Sequence, residues 1–195
     1  MKIIKLNVGS GGLPLPGYVN IDVYVGEPNF GVDIVHDVTK LEEIYEGGTV
    51  DEIFAKDVLE HISWRKAPQV LQSWIDLLKP GGVVKIRVPG ILYIVEEYTN
   101  HKDEPDARNI FNRMIHLTFG DQDFTENSHL GGFHDKYLVD DLEKAGMKVM
   151  PVWFDGGRDI RVTAIKGQLE PLVSLDHPDY QYKSTSREQL KELLK

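Results

Sequence analysis

The chain has no cysteine. Its 195 residues therefore hold no disulfide framework, no thiolate nucleophile and no zinc site built on Cys ligands. That absence suits a reducing compartment. No apolar run reaches the ~18 residues a membrane helix needs. No secretory leader is visible, because Lys2 and Lys5 are followed by Asn7, Gly9, Ser10, Gly11 and Gly12 rather than by an apolar stretch. A cytoplasmic protein without a membrane span is the expectation. Positive charge is in deficit, with 22 Lys and Arg against 31 Asp and Glu and a formal charge of -9. No basic run forms a footprint for a polyanion, so a nucleic-acid partner is not expected. What remains is ordinary for a soluble globular chain: 41% hydrophobic and 27% charged residues. The length is enough to bury a core and fits about one domain.

There is no internal repeat and no low-complexity segment. Lys2–Val8 reads as a strand running into Gly9-Ser-Gly-Gly12. Further short strands are predicted over Tyr18–Val23, Val32–Val35 and Val50–Ala55, with one helical turn over Leu41–Tyr45 and another over Asp57–Ile62. The clearest helix spans Pro68–Leu78, where Val70, Leu71, Trp74, Leu77 and Leu78 share one face and Lys79-Pro-Gly-Gly82 stops it. Val83–Val88 is a fifth strand, Tyr137–Ala145 a helix, and Met147–Phe154 and Ile160–Lys166 two strands joined by a hairpin turn at Asp155–Asp159. Strands separated by helix-length connections imply an α/β fold: a mostly parallel sheet with helices on both faces, its last hairpin adding an antiparallel strand. Beyond Glu170 the pattern weakens into a surface tail. Thr185-Ser-Arg-Glu188 is a capping box before a short helix with Leu190, Leu193 and Leu194 on one side. Packing on its own domain is expected of that helix, with a homodimer contact as the alternative.

A glycine-rich turn after the first strand lets a ligand approach the backbone closely, at the end of the sheet where open α/β folds bind ligands. Two cofactor classes compete for it. The nicotinamide pattern GxGxxG would need its third glycine where Pro14 stands. Pro14, Pro16 and Gly17 leave almost no room for the helix whose N-terminus a pyrophosphate requires, and Asp22 arrives early for the acid of that pattern. A nucleoside cofactor without a pyrophosphate fits better. Asp22 can accept from ribose hydroxyls, Asp37 from an adenine amino group, and Val38 offers a backbone N–H to an adenine ring nitrogen.

Taken in order, Leu6-Asn-Val-Gly-Ser-Gly11, Gly17-Tyr-Val-Asn-Ile-Asp22, His36-Asp-Val-Thr39, Val50-Asp-Glu-Ile-Phe-Ala-Lys-Asp-Val-Leu-Glu-His61 and Leu78-Lys-Pro-Gly-Gly82 resemble a class I S-adenosylmethionine-dependent methyltransferase. The chain is most similar there to small members with an LNLGSG…NID opening and a VLEH segment. Some of those are associated with surface-polysaccharide and glycosyltransferase genes. The resemblance covers about residues 2 to 166 and implies a Rossmann-like, seven-stranded sheet with an antiparallel last strand. It implies S-adenosylmethionine as cofactor. Gly9, Ser10 and Gly11 would line the methionine tail with Asn7 beside them. Asp22 and Val23 would hold the ribose, Asp37 and Val38 would face the adenine, and Ala55, Lys56 and Asp57 would border the cofactor. His61 would lie close to the reaction centre. The domain is then expected over 1–167, with a C-terminal tail over 168–195.

Methyl transfer is an in-line displacement at an activated sulfonium methyl, so the protein mainly aligns donor and acceptor. A hydroxyl acceptor also benefits from a base. The long connection over about 91–136 is rich in polar, aromatic and glycine residues and is the expected acceptor-binding insertion. His61 and His134 are the candidate catalytic residues, since neutral His is a base near pH 7. Tyr93, His116, His129 and His134 are candidates for acceptor binding. Arg108, Arg113 and Arg158 could meet an anionic acceptor. Phe119, Phe124 and Phe133 read as loop anchors. No metal is assigned, because Asp121, Asp123, His129 and His134 match no ligand spacing. The expected function is methyl transfer to a small-molecule or sugar-containing acceptor, at oxygen. The alternatives are a non-catalytic S-adenosylmethionine or nucleoside-binding module and, more distantly, an NAD-dependent oxidoreductase.

Overall fold

The computed structural model describes residues 3–23, 31–123, 125–155 and 158–167, without the side chains of Trp153 and Asp155. Lys2, Phe124, Gly156, Gly157 and the tail with its capping box lie outside the described residues. Five strands run parallel: β1 (Lys5–Val8), β2 (Val19–Asp22), β3 (Ile34–Val35), β4 (Val50–Lys56) and β5 (Leu78–Pro89). Three more follow: β6 (Met147–Val149), β7 (Trp153–Asp155) and β8 (Asp159–Lys166), with β8 antiparallel to β5. The sheet order is β3-β2-β1-β4-β5-β8-β6, and β7 continues along the same edge of β8 as β6. This is the Rossmann-like seven-strand path expected, with helices around it and one short strand more.

The extra strand has a local cause. Met147–Phe154 reads as one strand, but Pro151 lacks the N–H a ladder needs and breaks it in two. The backbone of Met150 still donates to Thr163 at 2.8 Å, so the edge stays paired up to the break.

Helix α1 (Ala67–Leu77) has Pro68 in its first turn, where a missing N–H is harmless. Its buried face is Val70, Leu71, Trp74, Ile75 and Leu77, each contributing roughly 1.5–3 kcal/mol by burial. Leu78 ends the helix in extended backbone and at once starts β5, five residues earlier than the apolar run suggests. The helices α2 (Ile91–His101) and α3 (Ala107–Phe119) follow β5, and α4 (Asp135–Lys144) precedes β6. Most of the 91–136 connection is therefore helical, and its irregular part is short.

Between β1 and β2 no helix forms. Two buried asparagines hold that connection instead. Asn7 Nδ2 donates to Asn20 Oδ1 (2.9 Å) and to the Leu13 carbonyl (3.2 Å). Asn20 Oδ1 also accepts from Leu15 N (2.7 Å), and Asp33 Oδ2 accepts from the Asn20 backbone and side chain at 2.8 and 2.9 Å. The proline-containing loop is thus fixed by amides rather than by a helix packed on the sheet.

A polar seam crosses the sheet interior. The Glu52 carboxylate is fully buried and meets Lys85 Nζ at 2.9 Å, Lys5 Nζ at 3.1 Å and the Tyr18 hydroxyl at 2.6 Å. Burial raises the Glu52 pKa, but the Tyr18 hydrogen bond and the two ammonium groups outweigh it, and the net shift is downward.

Candidate active site

The order in which strands are added reverses between the parallel neighbours β1 and β4, and a cleft of about 450 Å³ opens at the carboxyl ends of the strands there. Its floor is the glycine turn after β1. Gly9 has φ +64°, and its Cα sits so close to Val58 that a Cβ would stand 2.3 Å from Val58 Cγ2. Gly11, φ +48°, has open space before it. Its N–H donates to Asp22 Oδ2 at 2.8 Å, which ties the glycine turn to the end of β2. The carboxylate that would meet a ribose therefore also shapes the turn.

Asp37 follows β3 and caps the 3-10 helix Val38–Glu43. Its Oδ1 accepts from the Thr39 backbone N–H (2.9 Å) and hydroxyl (2.7 Å). Burial raises the Asp37 pKa, but these two bonds and the charges of Lys40 and His36 leave it below the usual value. Val38 is anchored from behind, because its carbonyl accepts from Trp74 Nε1 at 2.8 Å. The end of β4 supplies Asp57 in left-handed backbone, φ +53°, a conformation Asp tolerates better than most residues. Asp57 pairs with Arg87 at 3.1 Å. Burial and the nearby Asp159 still leave its pKa raised despite Arg87.

The next turn, Leu59–His61, carries His61 into the cleft, opposite Thr125, Glu126, Asn127 and Leu130. His61 Nδ1 lies 3.3 Å from the Ser128 carbonyl. The His129 ring stands 4.8 Å from the His61 ring at 84°, with its own Nδ1 2.9 Å from the Leu117 carbonyl. Burial is the main cause that pulls both imidazoles below their usual pKa, so both are neutral near pH 7. Glu60 is buried beside them and its carboxyl is pushed well up by burial and by Asp57.

Of the residues expected at a cofactor, Gly9, Gly11, Asp22, Val23, Asp37, Val38, Asp57 and His61 come together on this one cleft. Asn7 sits behind the turn in the asparagine brace, and Ser10 and Ala55 are buried in the same layer. Lys56 ends β4 without lining the cleft. The acceptor candidates scatter. His129 joins His61. His116 is exposed on α3 and pairs with Asp121 at 2.7 Å. Tyr93 donates to Asp135 Oδ1 at 3.2 Å and packs on Phe154. His134 caps α4, its Nδ1 accepting from the Lys136 N–H at 3.1 Å. It lines a second, apolar groove of about 510 Å³ with Trp64, Leu71, Ile91 and Tyr137, and so does not share the cleft with His61. Arg113 pairs with Glu97, and Arg158 lies 3.6 Å from the same carboxylate. Thr39, Val58, Thr125, Glu126 and Asn127 line the cleft without having been legible as site residues, since nothing in their residue type or spacing marks them.

No protein-family model matches the chain, and no curated protein does. Solved structures share its fold. A Burkholderia thailandensis 1,6-didemethyltoxoflavin-N1-methyltransferase, crystallised with 1,6-didemethyltoxoflavin and S-adenosylhomocysteine, superposes with a TM-score of 0.53 at 13% identity over 84% of this chain and 71% of its own. A SAM-dependent methyltransferase from Thermotoga maritima gives 0.55 at 14% identity, over 85% and 83%. An O-methyltransferase family protein from Burkholderia thailandensis gives 0.53 at 15% identity over 86% of this chain, which spans only 52% of that longer one. The fold is that of S-adenosylmethionine-dependent methyltransferases acting at different atoms. Among the described residues, no helix is long and apolar enough to cross a membrane.

Proposed function

We propose that the chain binds S-adenosylmethionine in the glycine-floored cleft and transfers its methyl group to an oxygen of a small-molecule or sugar-containing acceptor. The observation that carries this reading is the convergence of Gly9, Gly11, Asp22, Asp37 and His61 on one cleft at the carboxyl ends of the strands. A carboxylate tied to the glycine turn suits a ribose diol, and an anchored Val38 beside Asp37 suits an adenine edge. No helix follows the glycine turn within residues 9–18, so the arrangement offers no helix N-terminus to a pyrophosphate and disfavours a nicotinamide dinucleotide. The finer likeness to small methyltransferases with a VLEH segment supports the sugar-containing acceptor class.

In the proposed reaction the acceptor oxygen forms a bond to the sulfonium methyl carbon. The carbon–sulfur bond breaks with its electron pair on sulfur, leaving S-adenosylhomocysteine, and the acceptor proton departs. Donor activation is already in the sulfonium, so alignment is the protein's main contribution. Neutral His61, which lines the cleft and packs its ring against that of His129, is the group placed to assist loss of the proton. His134 is assigned to capping α4 rather than to this step. The test is formation of S-adenosylhomocysteine from S-adenosylmethionine in the presence of a panel of free sugars, nucleotide sugars and small alcohols. Turnover that depends on one acceptor, and collapses in Asp22→Ala while the fold persists, supports the reading. Tight S-adenosylmethionine binding without turnover on any acceptor would favour the non-catalytic binding module.

A further inference from the structure

One group of side chains is not accounted for by binding the cofactor. Glu60 lies in the turn after β4 with 2% of its surface exposed, and its Oε2 has no hydrogen-bond partner. Its backbone carbonyl accepts from the N–H groups of Leu130 (2.8 Å) and Gly131 (2.9 Å), which straps the 128–131 segment across the turn. That strap carries His129 to His61. One ligand atom from each of Glu60, His61 and His129 lies within 4.8 Å of the other two.

The hydrogen bonding of the three side chains is informative. Each imidazole has Nδ1 against a backbone carbonyl, Ser128 for His61 and Leu117 for His129, and the Glu126 backbone also hydrogen-bonds His61. A neutral ring that donates from Nδ1 carries its lone pair on Nε2. This is how metal-binding histidines are usually oriented, with the second ring nitrogen fixed by an outer hydrogen bond. A buried carboxylate oxygen with no donor is costly to leave unpaired. Arg87, whose charge favours the ionised form of Glu60, is itself held by Asp57 at 3.1 Å and by Asp159. No hydrogen bond joins the three side chains, and a divalent cation among them would satisfy all three at once, taking the place of any proton on Glu60.

We propose that Glu60, His61 and His129 form a binding site for one divalent first-row transition ion. Two imidazole nitrogens and one carboxylate oxygen suit Zn²⁺, Fe²⁺, Mn²⁺ or Co²⁺ better than Mg²⁺ or Ca²⁺, which prefer all-oxygen ligands. Bonds of ~2.1 Å place ligand atoms roughly 3.0–3.5 Å apart, so the His129 strap tightens on loading. Three protein ligands leave open positions, and one of the three, His61, also lines the cleft. On the methyl-transfer reading above, on which this role but not the binding itself rests, the ion holds the acceptor oxygen. It lowers the oxygen's pKa, so that the O–H proton passes to water before the oxygen forms its bond to carbon. His61 is then a ligand rather than the base.

The test uses the full chain without a histidine tag, stripped with chelator and dialysed. Co²⁺ is titrated by visible absorption and by calorimetry, followed by competition with Zn²⁺. The site predicts one Co²⁺ per chain, displaced by Zn²⁺. Binding should weaken ~100-fold or more in His61→Gln, His129→Gln and Glu60→Gln, since even outer partners of metal ligands are worth 10–100-fold. Far-ultraviolet circular dichroism checks that each variant folds. If a variant does not fold, the unaltered chain still decides: Co²⁺ should shift the ring protons of His61 and His129 in NMR spectra and leave those of His36 and His101 in place. Absence of saturable Co²⁺ and Zn²⁺ uptake overturns the proposal. So does uptake undiminished in a folded His61→Gln/His129→Gln double variant, or paramagnetic shifts confined to other histidines. S-adenosylhomocysteine binding is measured on the same stripped sample. Metal uptake without it leaves the ion site standing and removes the methyl-transfer role, and the converse removes only the ion.

Discussion

Gly9→Ala probes the glycine turn most sharply. The added Cβ would stand 2.3 Å from Val58 Cγ2 and 2.6 Å from Val58 Cβ. Carbon atoms in contact settle at about 3.5–4.0 Å, so the turn and Val58 must separate by roughly 1 Å. Val58 is buried and joins β4 to the turn that carries Glu60 and His61, so it has little freedom to retreat. Forcing an alanine to the φ of +64° seen at Gly9 adds about 1–2 kcal/mol, and overpacking adds about 1–3 kcal/mol. The sum, about 2–5 kcal/mol, lowers the melting temperature by about 4–20 °C for a domain of this size. Gly11→Ala is the control. It has a similar backbone, φ +48°, but nothing within 4 Å of the added carbon. Only the backbone cost of about 1–2 kcal/mol applies, yet the new methyl enters the cleft. The expected pattern is a stability loss larger for Gly9→Ala and an S-adenosylhomocysteine affinity lost in both. Scanning calorimetry and isothermal titration measure the two. A Gly9→Ala protein melting within about 2 °C of its parent, or a Gly11→Ala protein that is the less stable of the pair, would refute the reasoning.

Three further outcomes are expected. Asp22→Ala removes a charged acceptor and the bond to the Gly11 N–H. The loss of about 2–4 kcal/mol weakens S-adenosylhomocysteine binding about 30- to 1,000-fold by titration calorimetry. Asp22→Asn, which keeps an acceptor for Gly11, falls between. Glu52→Gln leaves Lys85 and Lys5 facing a neutral group in the sheet interior and costs up to about 3–5 kcal/mol in urea unfolding at pH 7. Because the folded pKa of Glu52 is depressed, its contribution is present above the ordinary Glu pKa and is lost as pH falls through the folded value. The stability gap between parent and variant should therefore close on acidification, and a gap that widens instead would contradict the sign. Trp74→Phe removes the indole N–H from the Val38 carbonyl and costs about 1–3 kcal/mol. Unfolding in denaturant measures it, and a neutral result would mean that another donor serves that carbonyl.

The order of the strands was legible because each parallel strand ends in glycine or in a polar turn, and because Trp74 and its neighbours mark α1 so clearly. The split of β6 from β7 turned on one missing N–H at Pro151, a local effect that hydrophobic patterning does not register. The connection after β5, expected as an acceptor-binding insertion, is largely helical. Its helical spacing at Tyr93, Glu96, Glu97 and Tyr98 is visible, but Ile94 and Ile110 are its only buried residues in α2 and α3, so the apolar face is thin. At the cleft, Asp22 and Asp37 could be read because they follow strands directly. Asn7, which the resemblance places beside the methionine tail, uses its buried amide to brace the next loop in place of a helix. The Glu60–His61–His129 group was not legible at all. Its members are brought together by a strap formed from main-chain bonds between residues about as far apart as His61 and Ser128, 67 positions, which no local pattern encodes.

The most direct test of the account is a calorimetric titration of the purified chain with S-adenosylhomocysteine and S-adenosylmethionine, with NAD as control. Saturable binding of both S-adenosyl compounds at one site per chain, and none of NAD, is the predicted result. A folded protein that binds neither S-adenosyl compound, or that binds NAD in their place, would contradict it.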